Sequence, residues 1–434
     1  MDGKQIFELI NNFKNSSLYS NMLIGKRYYL GKNDILTRQF FFYNVNDTQT
    51  VDTYRANIKT PSNFIQPIID HKISYCFSKD IILEDFPTNS IDINEEIDFV
   101  AEEAAKTSIG WLYIYVDEDK FLQVKSMESE TIIPLYDGTI ENKLTSIVRF
   151  YKLGECDYAE FWDNISCDTY QLNKSNYDLI NSISHKWGML PFIPFYNNRN
   201  GTNDIEGIKS LIDAYDIILS DFNNNFIDFQ EVILFIKNYA ENVATKEAAI
   251  ELMAWLKKYK VVAVKQDGSI DIIAKEVPFQ ARKEIMMILR RLIYETAQAV
   301  DLDELKGGSL TNVVIKAYFI FFDLKCSKTL KQAKKFIKEI LKFSNKYNEL
   351  RSEPTSPITS AKITFNKNIL INEDTTIESC VKSDGIISKR TLLANHPWVT
   401  DVDIELLQLD EDLLNDSVND LTGGGIVNED VEVK

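Results

Sequence analysis

Apolar residues recur at intervals of three and four from Ile205 to Phe226: Ile205, Ile208, Leu211, Ile212, Tyr215, Ile218, Leu219, Phe222 and Phe226. That spacing places them on one stripe of a helix over 204–226, roughly 34 Å long at about 1.5 Å per residue. Asn203 stands where an N-cap belongs, with Glu206 three residues on in capping-box position. A second stripe follows Pro278, carried by Ile285, Ile288, Leu289, Leu292, Ile293, Thr296, Ala297 and Val300. The segment between the two is strand-like over 232–235 and 261–265 and helical over 246–258, with a hairpin turn predicted at Asp267-Gly268 before Ile270. Two long helices flanking a compact insert predict an antiparallel pair. Their stripes are wide and aromatic, so one seam does not cover them and a neighbouring domain or another copy is needed.

The same patterning reads mixed α and β in the first 200 residues. Helical composition covers 65–77 and 94–108, and the N-terminus, 1–13, is a short amphipathic helix. Aromatic and β-branched runs predict strands over 111–116, 121–124, 131–135, 145–151, 158–162 and 169–172. Pro191 and Pro194 forbid a regular helix where this region closes. After the break at Lys306-Gly307-Gly308-Ser309 a third helix is expected over 313–347, about 50 Å long. Its second half, 325–346, carries eight lysines and the single acid Glu339, opposite an apolar stripe of Leu330, Ala333, Phe336, Ile337, Ile340, Leu341 and Tyr347. That basic face reads either as a solvated surface or as one that meets phosphates. Strands at 361–365 and 368–371 follow, then short helices within 379–414, one capped by Ser388. Residues 415–434, with three consecutive glycines and scattered acids, have the composition of a disordered tail.

Composition narrows the function. A chain of 434 residues with 44% hydrophobic residues buries a sizeable core in two or three units. A net charge of −17 argues against a protein whose main task is gripping nucleic acid by its phosphates. Ten of those charges belong to 401–434, with eleven acids and one lysine, so the body is only mildly acidic. The five cysteines form no C-x-x-C pair and read as free thiols, and three scattered histidines make no metal cluster. No signal peptide is visible, and no stretch of 18 apolar residues would span a membrane. Phosphate-loop, dinucleotide, nucleophile-elbow and zinc-protease motifs are absent, and the acids Glu102, Glu103, Asp301, Asp303 and Glu304 have the spacing of solvated faces or caps. The expectation is a non-enzymatic assembly component without cofactor, metal or catalytic residue.

Five blocks in order then resemble one family. Tyr28-Tyr29-Leu30-Gly31 through Asp34-Ile35 and Arg38 is similar to the opening block of portal proteins from tailed double-stranded DNA bacteriophages. Asn57-Ile58-Lys59 with Ile69 to Phe77 resembles the next block, although Ser78-Lys79-Asp80 stands where the family has Gly-Lys-Pro. Phe195 to Arg199 leading into Asp204 to Asp216, then Ser220-Asp221, resembles the family's most distinctive stretch. Ser309 to Lys316 and Gly385 to Leu393 with Pro397 to Asp401 occupy the positions of the last two.

The resemblance implies an α+β, mainly helical portal fold that assembles as a ring, usually of twelve subunits, at one capsid vertex. Residues 1–203 with the strands at 352–381 would be the wing, 204–228 and 279–300 the stem, and 229–278 the clip. Residues 301–312 would be the tunnel loop, 313–351 a long wing helix, 382–414 the crown and 415–434 an acidic tail. Lys306, Gly307, Gly308, Ser309, Leu310, Thr311 and Asn312 would face DNA in the channel. Ile208, Leu211, Ile212, Tyr215, Ile218, Leu219, Phe222, Ile285, Leu289, Leu292 and Ile293 would pack between stems of neighbouring subunits. The implied role is passage of DNA during packaging and ejection, with terminase, a head-tail adaptor, the major capsid protein and scaffolding as partners. The implied location is the virion, after assembly in the host cytoplasm. A channel wall free of many lysines lets DNA slide rather than hold it. The alternative is a minor capsid or tail adaptor protein without a channel.

Overall fold

The structure is a computed structural model. It describes residues 1–43, 49–52, 56–84, 93–228, 233–239, 264–273, 279–303, 312–366, 373–399, 402 and 404–412. The chain divides into two compact units, one of Met1–Ala299 with Cys326–Asn366 and one of Val300–Lys325 with Lys367–Lys434.

The first unit opens with two helices, α1 (Gly3–Lys14) and α2 (Ser17–Tyr29), the second capped by the Ser16 hydroxyl, which accepts from the Tyr19 amide. Helices α3 (Ile65–Phe77) and α4 (Ile93–Thr107) lie where the sequence places them. The short strands β1 (Phe41–Tyr43) and β2 (Gln49–Val51) pair with each other, and β3 (Ile82–Glu84) pairs with a later strand. β4 (Ile109–Val116) and β5 (Leu122–Met127) form a hairpin, and β4 also pairs with β11 (Phe192–Tyr196). Between them β6 (Ile132–Tyr136), β7 (Leu144–Leu153), β8 (Cys156–Trp162), β9 (Ser166–Asn173) and β10 (Asn176–Ser184) make a five-stranded antiparallel meander in chain order. The segment holding Pro191 and Pro194 is thus half strand rather than a mere boundary.

The core shows why these elements stack. Ile6, Ile10 and Phe13, one helical turn apart, bury their side chains among Trp111, Ile132, Ile147, Val148, Ala159, Tyr170 and Phe192 of the two sheets. Burial of this kind stabilises by about 25 cal/mol per Å2 of apolar surface. On the other side α2 approaches α4 so closely that a Cβ on Gly25 would stand 1.9 Å from the Lys106 carbonyl oxygen, which only glycine allows.

Two long helices follow. α5 (Lys209–Asp228) and α6 (Phe279–Ala297) bracket the paired strands β12 (Ile233–Tyr239) and β13 (Val264–Ile273). Two expectations are revised here. The regular helix starts at Lys209 rather than near 204, because Asn203 Oδ1 caps a preceding turn by accepting from the amides of Ile205 (3.2 Å) and Glu206 (3.0 Å). Asp267-Gly268 makes no hairpin turn: both residues lie within β13, in the stretch where the register jumps from Lys237 opposite Ser269 to Tyr239 opposite Val264. Turn-forming residues here absorb extra strand length as an irregularity. The expected helix over 246–258 lies outside the described residues, as do 368–371 and the tail 415–434.

α7 (Asn312–Leu350) begins in the second unit and continues into the first. Its first-unit part packs on the sheet region, with ring centroids 5.2 Å apart for Phe195 and Phe336 and 5.5 Å apart for Trp187 and Phe343. Strand β14 (Lys362–Thr364) then pairs with β3. In the second unit lie α8 (Glu373–Ser383), α9 (Lys389–Asn395) and a helical stretch over 404–412. Ser388 caps α9 as its position predicts, accepting from the Thr391 amide. All five cysteines are free.

Candidate functional site

The antiparallel arrangement of α5 and α6 follows from three ring contacts. Phe64, just before α3, stands edge-on to both Tyr215 of α5 (5.0 Å) and Tyr294 of α6 (6.0 Å). At the other end Phe222 of α5 meets Phe279, the first residue of α6, at 5.7 Å. Late α5 therefore faces early α6, as the stripes predict. A cleft of about 450 Å3 runs along this seam, lined by Tyr215, Leu219, Phe222, Met286 and the cations Arg282 and Arg290.

The residues expected between neighbouring stems separate into two sets. Ile208, Ile212 and Ile293 are fully buried within the chain, so their side chains have no surface to offer a second copy. That part of the expectation is revised: a stripe wide enough to need cover finds some of it in its own unit. Ile285 and Leu292 are exposed, while Leu211, Tyr215, Ile218, Leu219, Phe222 and Leu289 are half-buried. Exposed with them are Phe226 at 67%, Phe279 at 57%, Met287 and Ile288. Of the channel-loop candidates, Asn312 is the first residue of α7. Lys306, Gly307, Gly308, Ser309, Leu310 and Thr311 lie outside the described residues.

The side of α5 away from the seam is polar, and here residues of the first three sequence blocks converge. This face of α5 carries Asp213, Asp216, Ser220 and Asn224, three or four residues apart. Along it runs the extended segment 56–64, whose backbone this row satisfies. The Ile58 amide donates to Asn224 Oδ1 at 2.6 Å, and the Asn224 amide group donates back to the Ile58 carbonyl at 3.1 Å. The Thr60 amide donates to Ser220 Oγ at 3.0 Å and the Ser62 amide to Asp216 Oδ1 at 2.8 Å. Asp216 also accepts from Asn33 at 2.6 Å, and Asn33 donates to the Ser62 carbonyl at 2.7 Å. Asp216, Ser220 and Asn224 are buried, which they tolerate only because each is hydrogen-bonded.

Charges close the junction. Lys209 Nζ lies 2.5 Å from Asp34 and 2.7 Å from Asp213, Arg27 also pairs with Asp34, and the Tyr28 hydroxyl donates to Asp213. Burial opposes ionisation of Asp34, but Lys209 and Arg27 outweigh it and hold the carboxyl at about 2. Burial, together with the bond to Asp213, pushes the Tyr28 phenol up to about 12. Beside them Lys72, buried at the heart of α3, donates to Asn197 at 2.6 Å and to Asp204 at 2.9 Å, and Tyr29 donates to Asp70 at 2.7 Å. Arg38 pairs with Asp221 at 2.9 Å.

This is a clamp rather than a reaction centre. Its acids and lysines are joined to one another inside the unit. Among the described residues no group of three or more His, Cys, Asp or Glu is placed to hold a metal, and no helix is long and apolar enough to cross a membrane. Most of these residues belong to the sequence blocks, but their contacts with one another are not visible in the sequence. One signal was available: Asp213, Asp216, Ser220 and Asn224 are poor interior helix formers at helical spacing, the mark of side chains that bond another segment's backbone.

Comparison with known proteins adds the family. The family model described as "Phage portal protein, SPP1 Gp6-like" matches residues 14–417. A portal protein of Clostridium phage phiCD119 is 27% identical over 435 residues, covering 90% of this chain and 92% of that one. The portal protein of Bacillus phage SPP1 is 26% identical over 424 residues, covering 90% and 83% respectively. Among solved structures, a chain from "Neck of native GTA particle computed with C12 symmetry" aligns with 76% of this chain and 88% of its own, at 7% identity and a TM-score of 0.44.

Proposed function

The chain belongs to the SPP1 Gp6-like phage portal proteins, and from that premise we propose that it forms a ring, of twelve subunits, enclosing a channel for DNA at one capsid vertex. Portal proteins are structural components of the virion and not enzymes, so the part played by this chain is mechanical. Residues 204–228 and 279–300 serve as the stem, 229–278 as the clip that docks terminase and later a head-tail adaptor, and 301–312 as the tunnel loop. The remainder supplies wing (1–203, 313–351 and 352–381) and crown (382–414). Assembly takes place in the bacterial cytoplasm, with scaffolding and major capsid protein as neighbours. Packaging energy comes from ATP hydrolysis by the separate terminase; this chain guides and retains the duplex.

The observation that supports a ring most is the apolar surface left on the α5–α6 pair, where Phe226, Phe279, Ile285, Met287, Ile288 and Leu292 stand exposed. A monomer rarely leaves so many large apolar side chains along one element in water, and contact between copies removes them. The polar clamp supports it as well, since an α5 bound along its length to the segment 56–64 presents its apolar side at one angle in every subunit. Electron microscopy of the purified chain tests the reading: end-on averages should show a ring of about twelve subunits with an axial opening. Ile288→Asp with Met287→Asp, on the exposed face, should abolish the rings while leaving a folded chain. Closed particles without an opening, or a stable monomer at micromolar concentration across salt conditions, would refute it.

A further inference from the structure

The lysines of α7 stand at 3-4 spacing. Lys328, Lys331, Lys335, Lys338 and Lys342 follow one another at intervals of three, four, three and four residues. That is the interval that puts side chains on one ridge, here about 21 Å long at roughly 1.5 Å per residue. Lys342 is held by Glu339 at 2.7 Å, whereas Lys328, Lys331, Lys335 and Lys338 make no ion pair among the described residues. Like charges at this spacing repel, so nothing among the described residues explains the ridge.

A groove of about 690 Å3 runs beside it within the first unit, between α7 and the strands β6, β7 and β11. Its floor is apolar, with Leu144, Leu190, Phe192, Pro194, Phe336 and Phe343. Lys335 and Lys342 line one side and Lys143 the other, the last paired with Glu141; Glu339 is the one acid in the lining. The Tyr136 and Tyr196 hydroxyls, 3.1 Å apart, give it a polar end.

We propose that this groove and ridge bind an acidic peptide segment of a partner protein, whose aliphatic or aromatic side chains enter the groove while its carboxylates meet Lys331, Lys335 and Lys338. The two features together select that occupant. Duplex DNA matches the ridge, but a rigid rod carrying its phosphates outside leaves an apolar groove of this size unfilled. A plain apolar peptide fills the groove and ignores the ridge. An acidic segment with apolar anchors satisfies both, the anchors supplying affinity and the charges orientation and association rate. The inference does not depend on a ring or a channel.

Fluorescence anisotropy on the full-length, assembled protein tests it. The probes are a labelled synthetic peptide alternating glutamate with leucine and phenylalanine, a matched peptide alternating glutamate with serine and glycine, and a short DNA duplex. The first should bind, and Lys331→Glu with Lys335→Glu should weaken it by about tenfold or more. Leu144→Asp, on the groove floor, should weaken it as well, with thermal unfolding showing that both variants are folded. Three results would overturn the proposal: no binding of the first peptide, equal binding of the two peptides, or a duplex that binds more tightly than either through the same lysines. An assembled mass that changes in Lys331→Glu with Lys335→Glu would also overturn it, by assigning the ridge to contact between copies.

Discussion

Helices α5 and α7 both carry polar side chains at helical spacing, and the two rows have opposite fates. On α5, Asp213, Asp216, Ser220 and Asn224 each meet a partner in another segment, and the last three are buried. On α7, Lys328, Lys331 and Lys335 are exposed and have no ion pair among the described residues. Side-chain length explains the difference. Short Asp, Ser and Asn side chains stay close enough to the helix to bond the backbone of a strand laid against it, which is what the segment 56–64 is. A lysine's long stem keeps its charge in water, so a lysine row remains available to something outside the chain. One row fixes the protein to itself, and the other is free to meet a partner.

That contrast breaks most easily at its buried end. Lys72→Met should remove about 4 kcal/mol of unfolding free energy, because Asp204 is left as a buried charge without its cation; denaturant unfolding of the first unit reads it. Asp216→Ala should cost about 3 kcal/mol by leaving the Ser62 amide and one of the two Asn33 side-chain N–H groups without an acceptor. A loss under about 1 kcal/mol from either change would mean that the clamp is not tight. Acid sharpens the picture next. Asp34 is held at about 2, below the ordinary 3.8, so its share of stability is present above pH 3.8 and lost as pH falls toward 2. Because the group is partly exposed and its pairs are screened, the share is about 1 kcal/mol, and Asp34→Asn should flatten that part of the pH–stability curve. The smallest effect belongs to the ridge. Lys331→Gln with Lys335→Gln should change stability by less than about 0.5 kcal/mol, toward a gain at low salt from relieved repulsion. A loss of 2 kcal/mol or more there would put the ridge in the same class as the α5 row.

Legibility in the sequence followed the same division. The stripes of α5 and α6, the bounds of α3, the strands β4 to β9 and the Ser388 cap were readable because period and cap chemistry are local properties. Strand β10 escaped, since its apolar Leu179, Ile180 and Ile183 are exposed on an edge strand whose register shifts between Leu179 and Asn181, which breaks the alternation. Asp267-Gly268 misled because the dipeptide that favours a tight turn also suits a strand irregularity, and only the partner strand decides. The clamp was present as pieces of three separate blocks, but Asn33 and Asp216 are 183 residues apart, and no local rule brings such residues together. Burial of Ile208, Ile212 and Ile293 was hidden for the same reason: a stripe declares that it needs cover, not which neighbour provides it.

The central claim is that copies of this chain close into a portal ring through the exposed apolar face of α5 and α6. Native mass spectrometry of the purified 50.0 kDa chain tests it most directly. The account predicts a dominant species near twelve copies, about 600 kDa, that is lost in Ile288→Asp with Met287→Asp and kept in Lys331→Gln with Lys335→Gln. A monomer in the unaltered protein, or a ring that survives the first pair and falls apart with the second, would contradict it.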